Sequence, residues 1–462
     1  MKAIRSPKVF ALALSVIILC LGVALIIAGQ DEPPPNVSDL ELSYPETPSR
    51  RSFNAYFPRG KGVLSRDISD ELGSLEQEAF QEVWKLKNNY LYRDAAERWN
   101  NEAMSVALAR IDPQFWTNLD QALQAPREFS LQPEGVLETI NLARLIRYQA
   151  WNLVRNGNPE AGLRWATKNL ELGNAFLENN PHVVSGFGGT AIYAIGYGII
   201  WEIASAYPVS PECLRELRTI IRETRPSDDC LRNIFRGEFF YLQAHFSILT
   251  KELSQYRLYF AAGSQKWTLS RVLTGEFADL PNAEKLLSQN VLYKPNATER
   301  LHADLCRISL QRIGLDAQSL QKIAEAPQVI NFEKSIRRAF PFDPRNTIGR
   351  RLLEPRLSDH VSFMKRWLSV KSMGSALEAA LAVREYEMRH GRLPEALEEL
   401  VPDYLPVVPV DYMDSQPVRY SKEERVVWSI GKNLDLAIPL PDPNAYDERH
   451  EFIFRIPPMK NE

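Results

Sequence analysis

Residues 141–173 read NLARLIRYQAWNLVRNGNPEAGLRWATKNLELG. Ahead of the central NGNP, Leu142, Leu145, Ile146, Gln149 and Leu153 recur at three- and four-residue steps, which places them on one face of a helix. Beyond it, Leu163, Ala166, Leu170 and Leu172 continue an apolar pattern. Asn156-Gly157-Asn158-Pro159 separates the two halves. Glycine suits the left-handed cap that ends a helix, and proline suits the first turn of the next. Two amphipathic helices across so short a turn predict a helical hairpin of the tetratricopeptide kind, and a chain that is mainly α. No second copy carries the same residues, so a regular solenoid does not follow.

Helical spacing dominates outward from this hairpin, from about Ser69 to Ala326. Leu72, Leu75, Phe80, Val83, Trp84 and Leu86 mark one helix. Ser210-Pro211-Glu212 and Ser227-Asp228-Asp229 begin two more with N-cap chemistry. Residues 264–296 and 327–350 are mixed and read as long connections.

Val183–Trp201 (VVSGFGGTAIYAIGYGIIW) is uncharged. It lacks leucine, carries five glycines, and has no Lys or Arg after it until Arg215. Glycine adds little hydrophobic gain, and no flanking charge orients the run across a membrane. It reads as a core helix whose small residues allow close packing.

The N-terminus differs. Residues 9–29, VFALALSVIILCLGVALIIAG, span roughly 30 Å as a helix, the thickness of bilayer hydrocarbon. Lys2, Arg5 and Lys8 precede the run, and Asp31 and Glu32 follow it. The positive-inside rule therefore predicts a single-pass cytoplasmic (inner) membrane protein with its N-terminus in the cytoplasm and its body extracytoplasmic. Ile26-Ile27-Ala28-Gly29 is a poor cleavage site, which favours an uncleaved signal anchor over a cleaved signal peptide. Leu19 before Cys20 argues against lipidation. DEPPPN, YPETPSRR and YFPRGK make residues 31–61 a Pro-rich tether, extended enough to hold the body clear of the membrane. The predicted order is anchor (1–30), linker (31–61), α-helical domain (62–350) and a C-terminal α+β module (351–462).

The 462 residues carry 55 basic and 58 acidic side chains, net −3, which supplies no electrostatic attraction for nucleic acid. Outside the anchor the cysteines are Cys213, Cys230 and Cys306, so this is not a disulfide scaffold.

In the C-terminal module, a helical stretch over 356–390 ends in LEAALAVREYEMRH. Gly391 is placed as its cap, and Pro394 opens a short helix, PEALEELV. PDYLPVVPVD then crosses in extended form. Residues 417–420 and 425–430 read as a hairpin around Lys422-Glu423-Glu424, and 451–456 as a third strand. Met373, Leu377, Leu381 and Met388 are predicted to lie under that sheet.

HGRLPEALEELVPDYLPVVPVD, followed by two strands and Ser429-Ile430-Gly431, resembles a recurring C-terminal module of uncharacterised bacterial envelope proteins. The module is similar to the globular end of the major pseudopilin of type II secretion. The segments NLARLIRYQAWNLVRNGNPEAGLRWATKNLELG and FRGEFFYLQAHF are similar to the helical body found with it. The resemblance implies an envelope protein with an α+β end. This chain lacks the pseudopilin's leader motif and the glutamate near the top of its anchor. Asp411, Asp414 and Asp435 stand outside an acidic, Gly-rich calcium loop, so neither filament assembly nor calcium is implied.

For chemistry, no G-x-S-x-G, H-E-x-x-H, Walker or C-x-x-C pattern occurs. Glu299, His302 and Cys306 share a helix face, but zinc needs a further ligand and none is adjacent. They read as a helix surface with a half-buried cysteine, and neither metal nor cofactor is predicted. Glu238 and His245 fall on one stripe with Phe235, Leu242 and Leu249, and Glu202 lies within IIWEIAS. A buried carboxylate has a raised pKa unless paired, as general acids use. The competing reading is a core ion pair with Arg144, Arg147 or Arg232. Glu202, Glu238 and His245 are thus the candidate catalytic residues. The body reads as an interaction or scaffold domain for a protein partner, and the alternative is an envelope hydrolase using those residues.

Overall fold

The computed structural model describes residues 30–42, 102–124, 136–251, 293–337, 346–431 and 453–458. The anchor at 9–29, the 69–90 helix and Asp435 lie outside them. The described chain is mainly helical with a small strand-containing region near its C-terminus. The helices are α1 (Glu102–Ala109), α2 (Pro113–Gln124), α3 (Val136–Arg155), α4 (Pro159–Asn179), α5 (Val183–Ala206), α6 (Pro211–Glu223), α7 (Asp228–Lys251), α8 (Pro295–Gln311), α9 (Ala317–Ala324), α10 (Pro327–Arg337) and α11 (Thr347–His390). The strands are β1 (Val410–Asp411), β2 (Gln416–Pro417), β3 (Arg419–Ser421), β4 (Val426–Trp428) and β5 (Ile453–Arg455).

These residues fall into two compact units. The first holds 30–42, 238–251, 293–311, 323–337 and 346–361. The second holds 102–124, 136–237, 312–322, 362–431 and 453–458. The stretch read as one helical domain, 62–350, contributes to both.

In the second unit the 156–159 turn closes as its chemistry requires. Gly157 takes φ +80°, Asn158 accepts the Ala161 N–H at 3.2 Å, and Pro159 opens α4. The α3–α4 hairpin packs against α5. The apolar, glycine-rich run is a core helix: Ile192, Tyr193, Tyr197, Ile199, Ile200 and Ile203 have no exposed surface. Among the described residues α5 is the one helix long and apolar enough to cross a membrane, and 67% of its most apolar window is buried within the fold. Its glycines set the spacing. A Cβ on Gly189 would stand 2.3 Å from Leu177 Cδ2, and one on Gly196 2.9 Å from Leu170 Cδ2, both on α4.

The C-terminal strands belong to this same unit. β3, β4 and β5 form an antiparallel sheet in that order, with Tyr420 opposite Val427 and Val427 opposite Phe454. Phe454 meets Trp201 of α5 edge-on at 5.4 Å, so the sheet also leans on the helical bundle. Met373, Leu377 and Leu381 of α11 are buried, whereas Met388 is 37% exposed and leaves the predicted core. Gly391 caps α11 at φ +68°.

PEALEELV forms only a 3-10 turn, Leu397–Leu400, in place of the predicted short helix. The Glu399 carboxylate accepts the Glu395 N–H at 2.8 Å and also bonds Tyr386 and Arg392, which ties the turn to the end of α11. Residues 327–350, read as a connection, contain α10 and the start of α11.

The two helical glycines with opposite surroundings make a test. A Cβ on Gly237 would meet the Pro181 carbonyl oxygen at 1.7 Å, whereas one on Gly198 meets nothing within 4 Å. Gly237→Ala should therefore destabilise by about 1–3 kcal/mol through overpacking. Gly198→Ala should stabilise by up to about 1 kcal/mol, since alanine is the better helix former. Denaturant midpoints of the two variants should move in opposite directions.

Candidate functional site

Several buried acids among the described residues of the second unit are engaged by arginines. Glu202, on the buried side of α5, meets the Arg147 guanidinium of α3 at 3.3 Å, and the Trp151 indole also donates to it. Burial pushes the Glu202 carboxyl up from its ordinary range, and Arg147 draws it back. It is the core ion pair that the sequence allowed as the competing reading, with Arg147 as partner.

On α11, Glu378 is gripped by Arg222 at 2.8 Å and Arg225 at 2.7 Å. Glu385, one heptad on, is fully buried and bonded by Arg218, by Arg215 at 3.3 Å and by Arg389 at 3.1 Å. Glu387 holds Arg425 at 2.9 Å, tying the β3–β4 turn to α11. Asp411 accepts from Ser429 Oγ and the Ile430 N–H, each at 3.0 Å, and pairs with Arg419 at 3.0 Å. Asp411 and Asp414 are therefore closed by arginine and backbone. A hollow beside α11, lined by Asp228, Arg312, Trp367, Lys371 and Tyr412, has its lysine occupied too. Lys371 Nζ lies 2.7 Å from Asp228 and 4.1 Å from the centre of the Tyr412 ring.

The first unit is built on α8. Residues 31–42, the start of the predicted Pro-rich tether, run along this helix. The Asp31 carboxylate accepts the N–H groups of Asn296 and Ala297, at 2.8 and 3.3 Å, and so supplies the cap that the start of α8 needs. Glu32 pairs with Arg300 at 2.8 Å, and Asp39 with Arg307 at 2.7 Å. Leu40, with no exposure, packs with Phe239, Ala303 and Cys306. Apolar burial at Leu40 and three charged contacts outweigh the extended preference of the prolines.

Cys306 corrects the reading of 299–306 as a helix surface with a half-buried thiol. Cys306 and His302 both have zero exposure, with Sγ and Nε2 3.6 Å apart. Phe239 stacks on the His302 ring at 5.5 Å. Glu299 stands apart and accepts the Gln243 amide at 2.8 Å. The third member is His360 of α11, 1% exposed, and ligand atoms of His302, Cys306 and His360 all lie within 4.8 Å of one another. Sequence spacing missed His360 because it comes from another helix. A signal was present: it sits on an apolar stripe with Leu353, Leu357 and Met364, all buried. Burial holds the His302 imidazole neutral and pushes the Cys306 thiol well above its usual range.

Of the predicted site residues, Glu202 is in the second unit and Glu238 and His245 are on α7 in the first. Glu238 is fully buried, with Oε1 3.8 Å from Arg356. The His245 side chain lies outside the described residues. Among the described residues Cys213, Cys230 and Cys306 form no disulfide. Comparison with known protein families, with characterised proteins and with solved structures finds no match.

The Arg147–Glu202 pair gives a pH-dependent test. Removing the cation leaves a buried carboxylate alone, so Arg147→Met should cost about 3–5 kcal/mol near pH 8. Its folded pKa then rises further above the ordinary carboxylate range. The native state binds the extra proton, so the variant loses stability as pH rises above that range and regains it toward pH 5. Urea unfolding at pH 5 and pH 8 should show the larger deficit at pH 8.

Proposed function

We propose that this chain is a single-pass envelope protein, anchored through residues 9–29, whose extracytoplasmic helical body is an interaction scaffold. The α3–α4 hairpin stacked on α5 is read as a tetratricopeptide-like element, and the C-terminal strands as a pseudopilin-like module. The observation that carries the scaffold reading is the use of the buried acids. Glu202, Glu378, Glu385, Glu387 and Asp411 each bond an arginine of another part of the same unit. Carboxylates held in this way fix helices and turns in place. Helical stacks of this kind bind proteins along their exposed faces.

The anchor and its direction are tested together. Glu424 is exposed in the β3–β4 turn, so Glu424→Cys gives a reporter thiol. A membrane-impermeant maleimide should label it in intact spheroplasts, above the level of the parent chain. Labelling only after lysis would reverse the topology, and recovery of the chain in the soluble fraction would remove the anchor.

A further inference from the structure

We propose that the first unit contains a structural zinc site formed by His302 and Cys306 of α8 and His360 of α11, with the Glu238 carboxylate of α7 in the fourth position. It goes beyond the scaffold reading and does not depend on it.

Zinc bonds thiolate sulfur at about 2.3 Å and imidazole nitrogen at about 2.0–2.1 Å, so a tetrahedral ion sets two such ligands roughly 3.5 Å apart. Cys306 Sγ and His302 Nε2 stand 3.6 Å apart, the edge of such a tetrahedron. Two ligands four residues apart on one helix share its face, which makes this spacing natural. The ligand atom of His360 lies within 4.8 Å of both, so side-chain rotation of about 1 Å completes the triangle.

The contacts that orient these side chains are also in place. Ser309 Oγ donates its proton to the Leu305 carbonyl at 3.0 Å, so it accepts from His360 Nδ1–H at 2.9 Å. That contact fixes the tautomer in which Nε2 carries the lone pair, as outer-shell partners of zinc-bound histidines do. Phe239 stacks on His302 and sets its ring plane. Glu238 precedes Phe239 in the chain, is fully buried, and its charge acts on the Cys306 thiol, which makes it the acid available to complete the set of three; Arg356 stands 3.8 Å from its Oε1.

The chemistry of the set favours zinc. Two imidazoles, one thiolate and a carboxylate are zinc's ligand types, and calcium or magnesium would select oxygen. With Glu238 as a fourth protein ligand and all four side chains 0–1% exposed, the set is closed to water and the site is structural. Gathering two imidazoles and a thiol in one dry place costs desolvation free energy, which a shared cation offsets.

The test uses the full chain, purified in detergent after growth with added zinc. Elemental analysis should find about one zinc per chain. Exchange for cobalt should produce a thiolate-to-metal charge-transfer band and the visible bands of a four-coordinate ion. Cys306→Ser should abolish the charge-transfer band, and Cys306→Ser, His360→Gln and Glu238→Gln should each weaken zinc binding at least tenfold. Glu299→Gln should leave both readouts unchanged. Should the ligand variants not fold, the parent chain decides: added zinc should raise its melting temperature and a chelator reverse the gain. A folded parent chain holding less than a tenth of an equivalent after zinc addition would overturn the proposal. So would full zinc retention by folded Cys306→Ser/His360→Gln. Unchanged affinity in Glu238→Gln would remove Glu238 from the fourth position.

Discussion

The second unit depends on a ladder of arginines meeting two buried carboxylates. Arg215, Arg218, Arg222 and Arg225 follow one another at steps of three, four and three, so they form one stripe at α6 and just beyond. Glu378 and Glu385 are a heptad apart on α11. Arg215 and Arg218 serve Glu385, while Arg222 and Arg225 serve Glu378. The matched spacing fixes the register and implies opposite directions, since the higher-numbered arginines meet the lower-numbered acid. Sliding α11 by one turn would leave a carboxylate in the core without its cations, at a cost of several kcal/mol. Apolar packing alone does not impose such a condition, because neighbouring Leu and Ala side chains are nearly interchangeable.

Once α11 is registered, its later residues place the C-terminal strands. Glu387 lies two residues after Glu385 and holds Arg425 in the β3–β4 turn. Tyr386 and Arg392 hold Glu399, so the 397–400 turn is fixed at the end of the helix. Ser372 accepts the Tyr412 N–H at 2.9 Å, near β1. These short strands could not persist alone. Polar side chains at and near the end of α11 hold the turns, and the Phe454–Trp201 contact seats the sheet on α5.

The legible part of the sequence was local. The 156–159 turn could be read because Gly157 and Pro159 act on their own backbone, and no distant residue is needed to explain them. The β3–β4 hairpin was legible for the same reason. What escaped was pairing across distance. The arginine stripe of α6 was visible as a pattern, but Glu378 and Glu385 lie about 160 residues away and look like any surface heptad. His360 was hidden from His302 and Cys306 in the same way. The 30–42 segment misled because proline content reports an extended chain and is silent on what that chain touches. PEALEELV misled because helix propensity was overridden by the bonds that Glu399 makes.

The case of α5 shows how two physical criteria that agree on composition separate on context. By length and hydropathy it could cross a membrane. Lipid cannot replace what surrounds it here. Gly189 and Gly196 allow α4 to approach to a distance that a Cβ would forbid, and this advantage exists only beside a protein surface. Glu202 needs Arg147, which sits on α3. Moved into hydrocarbon without that helix, the acid would have to be neutralised or stranded, either at a cost of several kcal/mol. Leucine would fill lipid-facing positions at least as well as glycine, and α5 has none. The residues that lower its suitability as a span are the same ones that close the bundle around it.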